Sequence, residues 1–446
     1  MRERVQDLLR RHGTTARNGF LPDTEPLHCL PHPYYAPWEA LIGNLPHLIS
    51  SRLIRSEIDG LPLLDTVFLE SEAEWQRSYS ILGFLTHAYI WGGEYPSERL
   101  PPQITCPLLK VSDYFGLPPV ATYAALNLWN FATKKPGADS SNPDNLRSLH
   151  TCTGSRDEEW FYLVSVAIEA KGSLFIKEIL NCIYATEYHD TNTVIASLRS
   201  ISAGVNDVGK LLDRMHEHCD PQRFYHEIRP LLAGSKGMAA AGLPNGVFYD
   251  EGDGRGHWRQ YSGGSNAQSS LIQLLDIFLR VDHHATGEHS SSSSVSEGCS
   301  SKSRQTNAFM LEMRKYMPRA HRDFLSEVEH MSNIRDYVRR STTPVEVREA
   351  YNEAVAAVVA VRDVHIRIVS RYIIMPSRSP PAPYIKKQKG AVNLASASSK
   401  CCQSGGSGGS GGGRDDIQLY GTGGTELIPF LKRTRDETRD TVVEVP

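Results

Sequence analysis

The chain has 446 residues, 40% hydrophobic and 22% charged, with 48 basic and 51 acidic residues and a formal net charge of -3. This is globular composition, long enough for a core that encloses a small cofactor, and its near-neutral charge argues against nucleic acid or an anionic membrane as partner. The opening MRERVQDLLRRHG has no apolar core for a signal peptide. The most apolar stretch, residues 354–361, is far short of the roughly 20 residues a membrane span requires.

In chain order, residues up to about 118 are rich in proline and in short helical pieces. Residues 161–183 (FYLVSVAIEAKGSLFIKEILNCI) form one long apolar helical run, and residues 268–281 form another. Strand-like alternation is scarce. Residues 290–303 are dominated by serine and residues 395–413 by glycine and serine. Neither can bury enough apolar surface to offset ordering entropy, so mobile loops are expected at about 286–305 and 390–420.

A further helix is expected over residues 344–374, with Thr343 and Glu346 forming a capping box, Pro344 in the first turn, and Met375-Pro376 as its end. On it Ala354, Val358, Val361, His365, Ile368 and Tyr372 follow three- and four-residue steps and share one face. The pattern predicts an all-α protein of two helical domains, a small one over residues 1–118 and a large one over residues 119–446.

The eight cysteines are scattered and no Asn-x-Ser/Thr sequon occurs, as expected of free thiols in a reducing, cytoplasmic compartment. His365 stands alone in an apolar stripe. It is open to two readings, a metal-ligating imidazole or a buried histidine satisfied by a carbonyl. Asp276 lies among apolar neighbours in LIQLLDIFL (271–279). A buried carboxylate is costly unless paired, so Asp276 either meets Arg362, one turn before His365, or points to solvent. His216, His218 and Cys219 are too close on a helix to converge on a metal and read as a solvated face; His283, His284 and His289 read as surface residues beside the serine-rich loop.

Several segments, in order, resemble the indoleamine 2,3-dioxygenase family. They are LPPVATY (117–123), WFYLVS (160–165), FYHEIR (224–229), GGSNAQSS (263–270), MRKYMPRAHRDFL (313–325), RDVH (362–365) and GTGGT (421–425), within a resemblance running over residues 45–431. The resemblance implies one haem b per chain, held in the larger domain with His365 as the iron's protein ligand and Asp276 and Arg362 behind it. Arg229 would clamp a substrate carboxylate, and Phe161 and Phe224 would hold an indole. Ser165 and Tyr123 would line the distal pocket and Leu126 the indole pocket, Gly264 and Ser265 would lie at the haem edge, and Thr422 would belong to a loop closing on substrate. Ser165, Phe224 and Arg229 would be the residues nearest the chemistry.

The implied reaction opens the indole 2,3 bond of L-tryptophan with O2 to give N-formylkynurenine, the entry to the kynurenine pathway of tryptophan catabolism and to NAD biosynthesis. It calls for an external electron donor to reduce the haem, and nothing in the chain suggests assembly beyond a monomer. Leu126, Asn127 and Asn266 stand where familiar members carry smaller or apolar residues. Two alternatives follow: a diverged haem-binding member with little turnover, or an oxygenase of another indole derivative.

Overall fold

The computed structural model describes residues 2–15, 17–283, 308–385 and 427–445. The two low-complexity segments and the GTGGT motif, with Thr422, lie outside the described residues. The fold is mostly helical. The helices that matter here are α1 (Arg2–Arg11), α2 (Ala36–Gly43), α3 (Glu72–Trp91), α4 (Pro102–Phe115), α5 (Arg156–Glu187), α6 (Thr191–Asp213), α7 (Ser270–Leu279), α8 (Arg319–Met331), α9 (Val345–Val369) and α10 (Leu427–Arg439).

Helix α5 starts where the Ser155 hydroxyl accepts the Glu158 backbone N–H, an ordinary cap that satisfies one orphan donor of the first turn. It packs on α6, which packs on α9, and α10 lies along α9. Helix α7 packs against α8. Helix α3 is buried nearly all round. A single apolar cluster reaches from Val5 to Val443 and includes residues of all these elements but α10. The most deeply buried side chains within it, such as Phe175 and Tyr351, each contribute roughly 1.5–3 kcal/mol of burial energy.

Two small sheets accompany the helices. Strand β1 (Arg99–Leu100) pairs in parallel with β4 (Val247–Gly252), which is antiparallel to β5 (Arg255–Arg259); β2 (Phe131–Thr133) pairs antiparallel with β3 (Leu146–Ser148). They are too short for the period-two pattern to emerge from sequence.

Helix α9 departs from expectation at both ends. The capping box does not form: the Thr343 hydroxyl donates to Tyr337 O at 2.6 Å, and Pro344, extended at ψ 149°, takes the cap position. Nor does Met375-Pro376 end the helix. A π-helical turn, Ser370–Ile374, follows α9 and a last turn runs Met375–Arg378. The wider turn re-spaces the hydrogen-bond ladder just before Pro376, so the missing N–H falls at a boundary.

Candidate active site

Three five-residue π-helical turns occur among the described residues: Ala124–Leu128, Phe224–Ile228 and Ser370–Ile374. The first carries Leu126, the second carries Phe224 and adjoins Arg229, and the third continues the helix that bears His365, in keeping with the tendency of π turns to mark functional positions.

On α5, Phe161, Ser165 and Glu169 recur every fourth residue and therefore share a face. The Phe161 ring meets the Phe224 ring at 4.9 Å between centroids, tilted by 55°. Phe224 also meets Tyr372 edge-on at 5.7 Å, and Tyr372 is anchored by its hydroxyl to Cys219 O at 2.8 Å. The aromatic pair is thus tied to the continuation of the helix that bears His365. Arg229 follows Phe224 directly after the π turn and is buried, 4% exposed. Its guanidinium carbon lies 5.7 Å from the Tyr225 ring centroid. Burial lowers its pKa to about 10, so it remains charged at neutral pH. A charged arginine in a dry site is a strong receptor for a carboxylate.

The segment after Arg229 meets the glycine loop at close quarters. A Cβ on Gly263 would stand 2.0 Å from Leu232 O, and one on Gly264 2.3 Å from Leu126 Cδ1. Glycine at both positions is what lets Leu126, the loop and the Arg229 segment converge. The Ser265 hydroxyl accepts the Ala267 N–H at 3.3 Å, capping the short turn Asn266–Gln268. Gln268 then staples the pocket, accepting Tyr123 N–H at 2.9 Å and donating to Gly263 O at 2.8 Å. The Ser165 hydroxyl points back to Phe161 O at 3.4 Å. Asn127 donates to Tyr123 O at 3.2 Å, but its buried Oδ1 finds no partner among the described residues.

Two polar residues were not anticipated. Glu169 is 1% exposed; its Oε1 accepts the Tyr123 hydroxyl at 3.0 Å and the Ser269 hydroxyl at 2.6 Å, while Oε2 is buried without a partner among the described residues. Burial raises its pKa to about 7. Its signal was a lone carboxylate in an apolar helical run, the same signal Asp276 carries.

The second is His283, expected at the surface and found buried, 8% exposed. Its Nε2 lies 3.1 Å from Asp276 Oδ2 and its Nδ1 2.7 Å from Glu437 Oε2. The correction has a simple cause: a histidine beside a polar loop is still buried when an acid from a distant helix comes to meet it. His284 and His289 lie outside the described residues. His216 and His218 are not a solvated face either, since His216 stacks on Tyr372 at 5.6 Å and His218 meets Trp160 edge-on at 4.5 Å.

Of the two readings of Asp276, pairing holds: Arg362 Nη2 donates to Oδ1 at 2.5 Å. Arg362 also donates to Thr434 O and the Thr438 hydroxyl. His365 itself is half-buried, and neither ring nitrogen has a hydrogen-bond partner among the described residues. Burial, and then the charge of Arg362, push its pKa down to about 4, leaving a neutral imidazole with a free lone pair. His365 has no ring contact with Phe161 or Phe224. Arg362, one turn before it, and Val358, two turns before it, line a small apolar cavity of ≈ 30 Å³ with Phe175, Val205, Leu271 and Leu275, a cavity that His365 itself does not line.

A lone neutral imidazole of this kind would suit a metal that a cofactor brings with it, such as the iron of a haem.

The family model described as indoleamine 2,3-dioxygenase matches residues 9–441. The indoleamine 2,3-dioxygenase qulI of Penicillium citrinum is 41% identical over 426 residues, 94% of this chain and 86% of that protein. The indoleamine 2,3-dioxygenase of Saccharomyces cerevisiae is 41% identical over 443 residues, 97% of this chain and 93% of that one. The 6-hydroxytryptophan 2,3-dioxygenase fscD of Fusarium equiseti is 35% identical over 428 residues, covering 95% of each. With a core, glycine loop and paired Asp276–Arg362 of this kind, and a family match over nearly its whole length, the chain belongs to the indoleamine 2,3-dioxygenase family of haem-dependent dioxygenases.

Proposed function

We propose that the chain binds haem b through His365 and uses O2 to open the indole 2,3 bond of L-tryptophan, yielding N-formylkynurenine. The observation that carries this reading is the neutral imidazole of His365, without a hydrogen-bond partner among the described residues, with a charged Arg362–Asp276 pair one turn away.

When bound, the haem supplies the redox chemistry that activates dioxygen. The protein's part is binding, orientation and exclusion of water. Phe161 and Phe224 form a tilted aromatic wall for a flat indole. Arg229, buried and charged, receives the substrate carboxylate and fixes the direction in which the indole points. Leu126, Gly264, Tyr123, Ser165 and Ser265 shape the remaining wall, with Thr422 assigned to the closing loop. No proton donor in the pocket is needed for this part of the work. Asp276 and Arg362 hold the helix turn that presents His365. The reading includes a small domain at 1–118 and a haem-bearing domain at 119–446, and a cytoplasmic monomer reduced by a separate electron donor. No helix among the described residues is long and apolar enough to cross a membrane.

A second reading of the substrate has its own support. Asn127 Oδ1, buried and without a partner among the described residues, is an acceptor that a ring hydroxyl could satisfy, and one relative bears the name of a 6-hydroxytryptophan 2,3-dioxygenase.

Protein expressed with haem supply is expected to show a Soret band, and to form N-formylkynurenine from L-tryptophan and oxygen once reduced. His365→Ala is expected to lose both. Retention of full haem occupancy and turnover by that variant would overturn the assignment. Faster turnover of 6-hydroxy-L-tryptophan than of L-tryptophan, abolished in Asn127→Val, would favour the second reading.

A further inference from the structure

The Asp276 carboxylate is shared. Arg362 occupies Oδ1, and His283 occupies Oδ2 at 3.1 Å. The other nitrogen of His283 meets Glu437 on α10 at 2.7 Å. Arg362 also reaches α10, at Thr434 O and the Thr438 hydroxyl. Two cations and two anions therefore alternate through the interior, with side chains 14% exposed at most. They join three separate stretches of chain behind the turn that carries His365. Nothing in the reaction as described uses His283 or Glu437.

We propose that His283 and Glu437 are positioning residues for the iron ligand, setting the placement of Arg362 and the electrostatic potential felt at His365. The proposal rests on the reading of His365 as that ligand. The physical reasoning has two steps. A carboxylate held at one oxygen can rotate about its χ2 bond, and an Arg362 partner that rotates carries its charge with it. His283 takes the second oxygen and removes that freedom. Glu437 in turn fixes the orientation of the His283 ring and ties α10 to the same carboxylate. Outer partners of this kind tune both the affinity for a metal and its potential.

The charges give the two residues opposite signs. A cation near the iron favours the ferrous state, which carries less positive charge, and an anion favours the ferric state. Neutralising His283 with H283Q, which can still donate to Asp276, is expected to lower the ferric–ferrous midpoint potential. Neutralising Glu437 with E437Q, which can still meet the His283 ring, is expected to raise it. Haem transfer from H283Q to an excess of apomyoglobin is expected to quicken about tenfold.

The measurement is spectroelectrochemical titration of the haem-loaded full chain for wild type, H283Q and E437Q, with far-ultraviolet circular dichroism as the fold control. Opposite shifts support the proposal. Unchanged potentials with haem retained, or a fall in melting temperature alone, overturn it and leave the two residues a purely structural role. If H283Q does not fold, the sign of the E437Q shift decides. H365A, followed by its Soret band, separates the two layers. Haem retained there sinks the ligand reading itself; haem lost there with flat potentials in H283Q and E437Q sinks only this inference.

Discussion

Arg362 Nη2 and Asp276 Oδ1 stand 2.5 Å apart, 86 positions apart in sequence, and both side chains are largely buried. Asp276 is held below the usual carboxylate range: Arg362, then His283, outweighs the opposing effect of burial. This one contact locks α7 to α9 directly behind the proposed haem ligand.

Removing the anion should be far worse than losing a surface ion pair. In Asp276→Ala the cations of Arg362 and His283 stay buried without their shared partner, and a loss of about 3–5 kcal/mol is expected. Urea unfolding of wild type and variant gives the difference. A change below about 1 kcal/mol, the range of an exposed pair, would mean that water reaches the network.

Glu169 makes stability depend on pH in the neutral range. Its folded pKa is about 7, against an ordinary value of 4.5, chiefly through burial. The folded state therefore binds more protons than the unfolded one between these values, and stability falls as pH rises from about 4.5 through about 7, then levels off. The contribution is about 3 kcal/mol at most. Glu169→Gln should flatten the profile, read as urea midpoints at pH 5, 6, 7 and 8. An identical slope in wild type and variant would place the titration elsewhere.

The glycine loop offers a test of packing with a built-in rescue. In Gly264→Ala the new methyl meets the end of the Leu126 side chain at 2.3 Å, an overpacking that should cost about 1–3 kcal/mol. Leu126→Ala opens that space, so the double variant should recover most of the loss. Gly263→Ala meets backbone, Leu232 O at 2.0 Å, and Leu126→Ala should not help it. Thermal melts of the set decide, and additive effects of Gly264→Ala and Leu126→Ala would refute the contact.

Much of this protein could be read without coordinates, because it depends on local periodicity and on costs that apply wherever a residue is buried. The apolar runs foretold α5, α7 and α9, and the expense of a lone buried carboxylate pointed to the Asp276–Arg362 pair. The same cost applies to Glu169, but its partners, Tyr123 and Ser269, lie far away in sequence and leave no local sign. Other features had no local signal at all. The π turns depend on which neighbours each helix meets. The Thr343 hydroxyl had two roles open to it, accepting the Glu346 N–H or donating to Tyr337 O, and only the fold chose between them. His283 looked like a surface residue because Glu437, its deciding partner, lies 154 positions further on. Helix spans and apolar faces are properties of a segment, whereas the pairing of buried charges is a property of which segments the fold brings together.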